Sequence, residues 1–268
     1  MAKELTFGYS PCPNDTFMFN AIAHAAVGDD GINMQPVLHD VETLNKMAMD
    51  ALLDVSKLSF YAWLKVKDRY RLLDSGAAMG FGCGPVLVAR KPLTSDEIHR
   101  CRVVLPGRWT TAHLLFRLWA PDAEKRFFVS YDRVFDELTA GRADCGVIIH
   151  ESRFTFEAAG FTAVVDLGAW WEEKTGLPIP LGGIAARKSL GEPLIRKIDA
   201  AVNASIRRAM ADPDAVLPYI RRHAQEMDDA VLQAHIRTFV NDFSLALTPT
   251  GHRAIEKLAA MARKAGAV

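Results

Sequence analysis

Short apolar runs alternate with amphipathic stretches through the first ninety residues, and this alternation restricts the fold more than any other feature of the chain. Residues 5–9, 32–38, 54–58, 71–74 and 86–90 read as strands bounded by turn-forming residues. Residues 16–27 and 59–68 read as helices, as does a stretch through Met49 that Asp40 caps. Phe17, Met18, Ile22 and Ala25 share the inward face of the first helix, with Asn14 or Asp15 as its cap. Strand–helix–strand order of this kind builds a mostly parallel sheet covered by helices on both faces.

A second set follows. Residues 102–105, 127–130, 145–149, 163–167 and 184–187 read as strands. Residues 110–119 form a helix with Leu114, Leu115 and Leu118 inward, after a Pro106-Gly107-Arg108 turn. Leu194, Ile198, Val202 and Ile206 recur at every fourth position, and helices near 213–223, 229–243 and 249–264 complete the chain. One topology fits this order: a first α/β lobe from residues 1–91 plus 181–268, and a second from 92–180. Two lobes joined by two crossings make a clamshell, and ligands bind at such interfaces.

The length of 268 residues favours two domains, and a hydrophobic content of 50% supplies a sizeable core. Lys plus Arg and Asp plus Glu both number 32, with no block of like charge, so nucleic acid and anionic membrane surfaces are poor partners. The N-terminus has no apolar signal core, and no apolar run approaches a membrane span of roughly 18 residues. The four cysteines show no CxxC or zinc spacing, and reduced thiols in a cytoplasmic protein are the plain reading. The oligomeric state is left open.

The apolar run Val147-Ile148-Ile149 stops at His150. The C-terminal ends of strands open into the ligand crevice of α/β sheets, and histidine exchanges a proton near neutral pH. The plain alternative is a strand-end histidine bonded to a neighbour. Cys145 falls on the opposite strand face, and Glu151 points away if the strand continues.

Three further sites stand at strand ends. Ser10 to Asp15, with Asn14, lies between a strand and a helix N-terminus suited to a carboxylate, although a capped Pro-rich turn is the simpler reading. Lys57-Leu58-Ser59 offers a charge and a hydroxyl, against a solvated lysine and an ordinary cap. Thr110-Thr111-Ala112 brings two hydroxyls and several amides to a helix start, either as an anion seat or as a threonine cap.

Gly76, Gly80, Gly82 and Gly84 do not match a dinucleotide fingerprint; they serve close ligand approach or positive φ equally well. Asp40 reads as a cap, Glu172-Glu173 as helix surface, and Trp170-Trp171 as cover for the core edge or a lobe interface. No Ser-His-Asp arrangement is specific enough to indicate a hydrolase.

Several stretches together resemble the 1,4-dihydroxy-6-naphthoate synthases of the futalosine route to menaquinone. They are Ser10-Pro11-Cys12-Pro13-Asn14-Asp15-Thr16-Phe17, Asp40-Val41-Glu42-Thr43-Leu44-Asn45, Lys57-Leu58-Ser59, and Pro106-Gly107-Arg108 with Thr110-Thr111-Ala112. Ile148-Ile149-His150-Glu151-Ser152-Arg153-Phe154-Thr155, Asp166-Leu167-Gly168-Ala169-Trp170-Trp171 and Thr175-Gly176-Leu177-Pro178 extend the match over most of the chain. Trp109 receives no role.

The resemblance implies a two-lobed, periplasmic-binding-protein-like (type II) fold with mixed, mostly parallel sheets, used without export. It implies cleavage of cyclic dehypoxanthinylfutalosine to dihydroxynaphthoate and a sugar-derived fragment. His150 is then the base, and Lys57 to Ser59, Thr111 and Ala112 hold substrate. The partner is an aromatic carboxylate bearing a sugar-derived ring, and the reaction calls for no metal or redox cofactor. The alternatives are a chorismate dehydratase of the same route and a non-catalytic binding protein for a small carboxylate.

Overall fold

The computed structural model describes residues 3–27, 31–224 and 228–268. From the N-terminus run β1 (Lys3–Tyr9), α1 (Pro13–Ala23), β2 (Ile32–Leu38), α2 (Val41–Met49), β3 (Val55–Ser59), α3 (Phe60–Val66), β4 (Tyr70–Leu72) and β5 (Ala78–Gly80). The middle of the chain contributes β6 (Val86–Ala89), β7 (Val103–Leu105), α4 (Thr111–Trp119), β8 (Arg126–Phe128), α5 (Val134–Thr139), β9 (Cys145–Ile148), α6 (Ser152–Thr155), β10 (Thr162–Asp166) and α7 (Leu167–Thr175). Then follow β11 (Ile179–Arg187), α8 (Glu192–Ala211), α9 (Leu217–His223), α10 (Asp229–Phe239), α11 (Asp242–Leu245) and α12 (Pro249–Lys264).

These strands form two mixed sheets. The first is six-stranded, in the order β2-β1-β3-β11-β4 with β5 also on β11. The second is five-stranded, in the order β10-β6-β9-β7-β8. Parallel pairing is confined to β2-β1-β3 and β9-β7-β8. β6, which enters the second sheet, and β11, which returns to the first, run antiparallel to their neighbours. The expectation of mostly parallel sheets therefore holds only where helices link successive strands.

Other expected boundaries shift as well. The expected lobe boundary at residue 91 falls past β6, whose Val86 and Ala89 pair with Ile148 and Cys145 in the second sheet. α1 begins at Pro13 with Cys12 at the N-cap, so neither Asn14 nor Asp15 caps it. A proline at the first helical position has the required φ and lacks an N–H that would otherwise need a partner. The helix ends at Ala23; Ala25 has φ 50° and is exposed, not buried. The helix expected over 229–243 ends at Phe239, and Asn241 caps α11. Asp40 caps α2 as expected, accepting from the amides of Glu42 and Thr43.

The largest buried apolar cluster spans both sheets. It joins Phe60, Tyr61 and Leu64 of α3 to Leu114 and Leu115 of α4, Leu105 of β7 and Leu258 of α12. A second cluster fills the first sheet between β1, α1 and α8, with Phe7, Met18 and Ile198 at its centre. Among the described residues, no helix is long and apolar enough to cross a membrane.

Candidate active site at the mouth between the sheets

Four chain segments leave their strands at one place. β1 runs into the Ser10 turn, β3 ends at Ser59, β7 leads to Thr110, and β9 stops at Ile148 just before His150. Between them lies a cavity enclosing about 690 Å³ of space, solvent at its mouth included. His150, Lys57, Leu58, Ser59, Thr110, Thr111, Ala112, Ser10 and Asn14 all line it. Of the four loop glycines only Gly84 does so. A methyl group on Gly84 would lie 2.2 Å from the Gly168 Cα, so packing of chain against chain already requires glycine there.

His150 departs from the strand. Its φ is 58°, the left-handed region that non-glycine residues rarely enter. Because the strand stops first, Glu151 does not point away: its Oε2 lies 4.0 Å from Nδ1 of His235. The Tyr131 ring makes a T-shaped contact with His150 at 4.9 Å between centroids, and the His235 ring lies parallel to His150 at 6.1 Å and 10°. Burial pushes the His150 pKa below its usual value, against the opposing pull of Glu151 and Asp15. His150 is therefore a neutral imidazole at pH 7, in the form that accepts a proton. Cys145 is buried in β9, and burial raises its thiol far out of the reactive range.

Lys57 does not present a free charge. Its Nζ donates to Asp15 Oδ1 at 2.7 Å, and both side chains are buried. Asp15 also accepts from the Ser10 amide and hydroxyl at 3.1 and 2.8 Å and from Asn14 Nδ2 at 3.0 Å. Arg153, the other cation lining the cavity, donates to Gly84 O at 2.5 Å and to Asp166 at 2.7 Å. Both cations thus face carboxylates of the protein.

The two threonine hydroxyls do not converge as a free anion seat. Thr110 Oγ1 caps the helix by accepting from the His113 amide and donates to Gly107 O. Thr111 Oγ1 donates to Leu181 O at 2.7 Å and accepts from the Tyr61 amide. The first-turn amides of Thr111 and Ala112 remain, because helix geometry gives them no internal acceptor. Ser59 does not cap its helix; its amide and Oγ both bond to the buried side chain of Asn45. Since Asn45 Nδ2 donates to Ser59 Oγ, the Ser59 proton is left to donate elsewhere.

Residues that strand-end reasoning missed complete the site. Asp15 is its electrostatic hub, and His235 of α10 stands behind His150. Glu42 accepts from the amides of Arg108 and Trp109 at 2.8 and 2.9 Å, tying α2 to the loop before α4. Nothing near Lys57 in sequence pointed to Asp15, which lies 42 positions away. The paired acids Asp40 and Glu42 were visible, but one proved a cap and the other a clasp. Trp171 is fully buried with Nε1 donating to Pro178 O, as a residue covering the core. Among the described residues, no group of three or more His, Cys, Asp or Glu side chains is arranged to hold a metal ion.

Comparison with known proteins places this geometry. A solved structure of a protein from Archaeoglobus fulgidus superposes with a TM-score of 0.93 at 32% identity, covering 99% of this chain and 98% of that one. The alkanesulfonate-binding protein of Xanthomonas axonopodis pv. citri, solved with MOPS bound, shares the fold at a TM-score of 0.71 and 13% identity, covering 100% and 95%. The fold is thus that of the periplasmic binding proteins. The proteins named 1,4-dihydroxy-6-naphtoate synthase from Thermus thermophilus and Streptomyces coelicolor are 49% and 41% identical to this chain. Those alignments cover 98% and 100% of this chain and 96% and 95% of the relatives. The profile of the family described as menaquinone biosynthesis matches residues 5–264, and this chain, an enzyme, belongs to that family.

Proposed function

We propose that this enzyme converts cyclic dehypoxanthinylfutalosine to 1,4-dihydroxy-6-naphthoate by an elimination in which His150 is the base. The observation that carries this reading is a half-buried imidazole at a strand end, its Nε2 buried and its pKa pushed down, facing a cavity bordered by the start of α4. The names of the relatives supply the product.

The chemistry follows from what each group can still do. Lys57 and Arg153 are paired, so the substrate carboxylate is met by the amides of Thr111 and Ala112 at the positive end of α4. The Ser59 hydroxyl donates to a second oxygen of the substrate. His150 takes a proton from carbon. The electrons of that C–H bond form a ring double bond and expel the sugar-derived fragment. Aromatisation of the second ring drives the step, and no net oxidation or reduction occurs. Four unpaired cysteines suit a reducing compartment, and we place the reaction in the cytoplasm.

Incubation with cyclic dehypoxanthinylfutalosine followed by mass spectrometry tests the proposal. The naphthoate and the sugar-derived fragment are expected in equal amounts. Binding without turnover would reduce the protein to a carboxylate binder, and loss of water from chorismate would assign it to the dehydratase instead.

A further inference from the structure

The orientation of His150 has no obvious source. Its Nε2 is buried and makes no hydrogen bond to a described residue. Histidine bases are commonly oriented by a carboxylate or carbonyl on the second ring nitrogen. Here the ring instead packs against two others, Tyr131 in a T-shaped contact and His235 in a parallel one.

His235 comes from the other half of the molecule, on α10, which packs against α1 and β5. Its side chain is fully buried, and its Nε2 lies 2.9 Å from Asn14 Oδ1. The tautomer follows from the neighbours. Asn14 Nδ2 donates to Asp15, and a carboxylate can only accept. Asn14 therefore presents its oxygen to His235, and His235 Nε2 carries the hydrogen. In the neutral ring Nδ1 is then a bare lone pair, 4.0 Å from Glu151 Oε2. Lys57 joins the same array through Asp15, while Phe154 and Phe239 close the apolar side of the ring at 6.4 and 4.7 Å.

We propose that His235 is the positioning residue for His150: anchored by Asn14 on the first sheet's side, it sets the plane of the base across the cavity. This rests on the reading of His150 as the base. Residue 235 is not itself expected to exchange a proton with substrate. The chain Lys57–Asp15–Asn14–His235 converts a buried ion pair into a fixed ring orientation through directional hydrogen bonds.

Three variants separate the parts. His235→Phe keeps the flat ring and loses the donor; His235→Gln keeps a donor near the Nε2 position and loses the ring; His235→Ala loses both. Misplacing a reacting group by about 1 Å can cost up to roughly 10²-fold. The expected result is a fall in kcat of at least about tenfold for the Ala and Gln variants, a smaller fall for Phe, which keeps the ring but loses its anchor, and KM within about threefold for all three.

Thermal unfolding is recorded for each variant, and if Ala does not fold, the Phe–Gln comparison carries the test. A kcat for Gln within about twofold of wild type, a Phe variant as slow as Gln, or KM rising in step with the loss of kcat each overturns the proposal. Long-range ¹H–¹⁵N spectra of histidine-labelled enzyme must also show His235 in the Nε2–H form; the other tautomer sinks the anchor. His150→Asn, run in parallel, distinguishes the failures. If it turns over normally the base assignment is wrong, whereas an inactive His150→Asn beside unaffected His235 variants rejects only the positioning role.

Discussion

Glu42 Oε2 lies so close to Gly107 that a methyl group on residue 107 would stand 2.6 Å from it. Residue 107 also has φ 107°, which side chains rarely tolerate. The two motifs around Asp40 and Pro106 thus meet in one contact, where a carboxylate accepts the next two amides of the turn. Gly107→Ala is expected to lower stability by about 1–3 kcal/mol. It should also raise KM more than it lowers kcat, because the displaced loop carries the start of α4. Melting curves and steady-state kinetics check both; an unchanged KM means the clasp does not set the substrate amides.

Replacing His150 by Asn retains size and polarity and removes the base. Turnover should fall by roughly 10²–10⁴-fold, while calorimetric affinity for substrate changes little. A variant that binds poorly yet reacts at a normal rate once saturated would make His150 a binding residue.

The acid limb of the pH profile reports the same group. Burial lowers the pKa of His150, so its base form persists below the ordinary histidine value of about 6.5. As pH falls through the lowered value the ring is protonated and activity is lost. The kcat/KM profile should therefore bend down below about pH 6.5. A midpoint at or above that pH contradicts the burial argument.

His113 gives a stability counterpart. It is buried in α4, its Nδ1–H donates to Arg108 O at 2.7 Å, and burial pushes its pKa down to about 4. The unfolded chain holds a proton on this residue up to about pH 6.5, the folded chain only below about 4. Between these values acid favours the unfolded state, and the loss from this residue reaches roughly 3 kcal/mol at the low end. His113→Phe should flatten the denaturant-measured stability curve across that window, and a curve of unchanged slope refutes the assignment.

The Lys57–Asp15 pair predicts strong coupling. Lys57→Met leaves a buried carboxylate without its partner, a change that typically costs about 3–5 kcal/mol. Adding Asp15→Asn should recover much of this loss. Chemical denaturation of the two single variants and the double variant completes the cycle; additive losses would mean that the pair is not coupled.

What could be read from the chain, and what could not, follows from how far each interaction reaches. Asp40 and Thr110 act within their own helix turn, so their caps were legible. His150 was legible because an apolar run stops beside it. The membership of β6 was not, because its pairing partners in β9 and β10 are distant in sequence: Val86 pairs with Ile148 and with Asp166, and Ala89 with Cys145 and with Thr162. The return of Glu151 toward the site turns on one left-handed residue. The loss of a free charge at Lys57 depends on Asp15, 42 positions distant. His235 sits on a helix whose spacing marks it only as inward-facing, and nothing nearby in sequence ties it to a proton acceptor.

The dry seam shared by α3, α4 and α12 has a mechanical consequence. Two plates separated by a wet gap can swing apart freely, but plates welded along an apolar edge can only flex. Parting them would return buried side chains to water at about 25 cal/mol for each Å². The buried apolar edge thus opposes separation of the two sheets along that side.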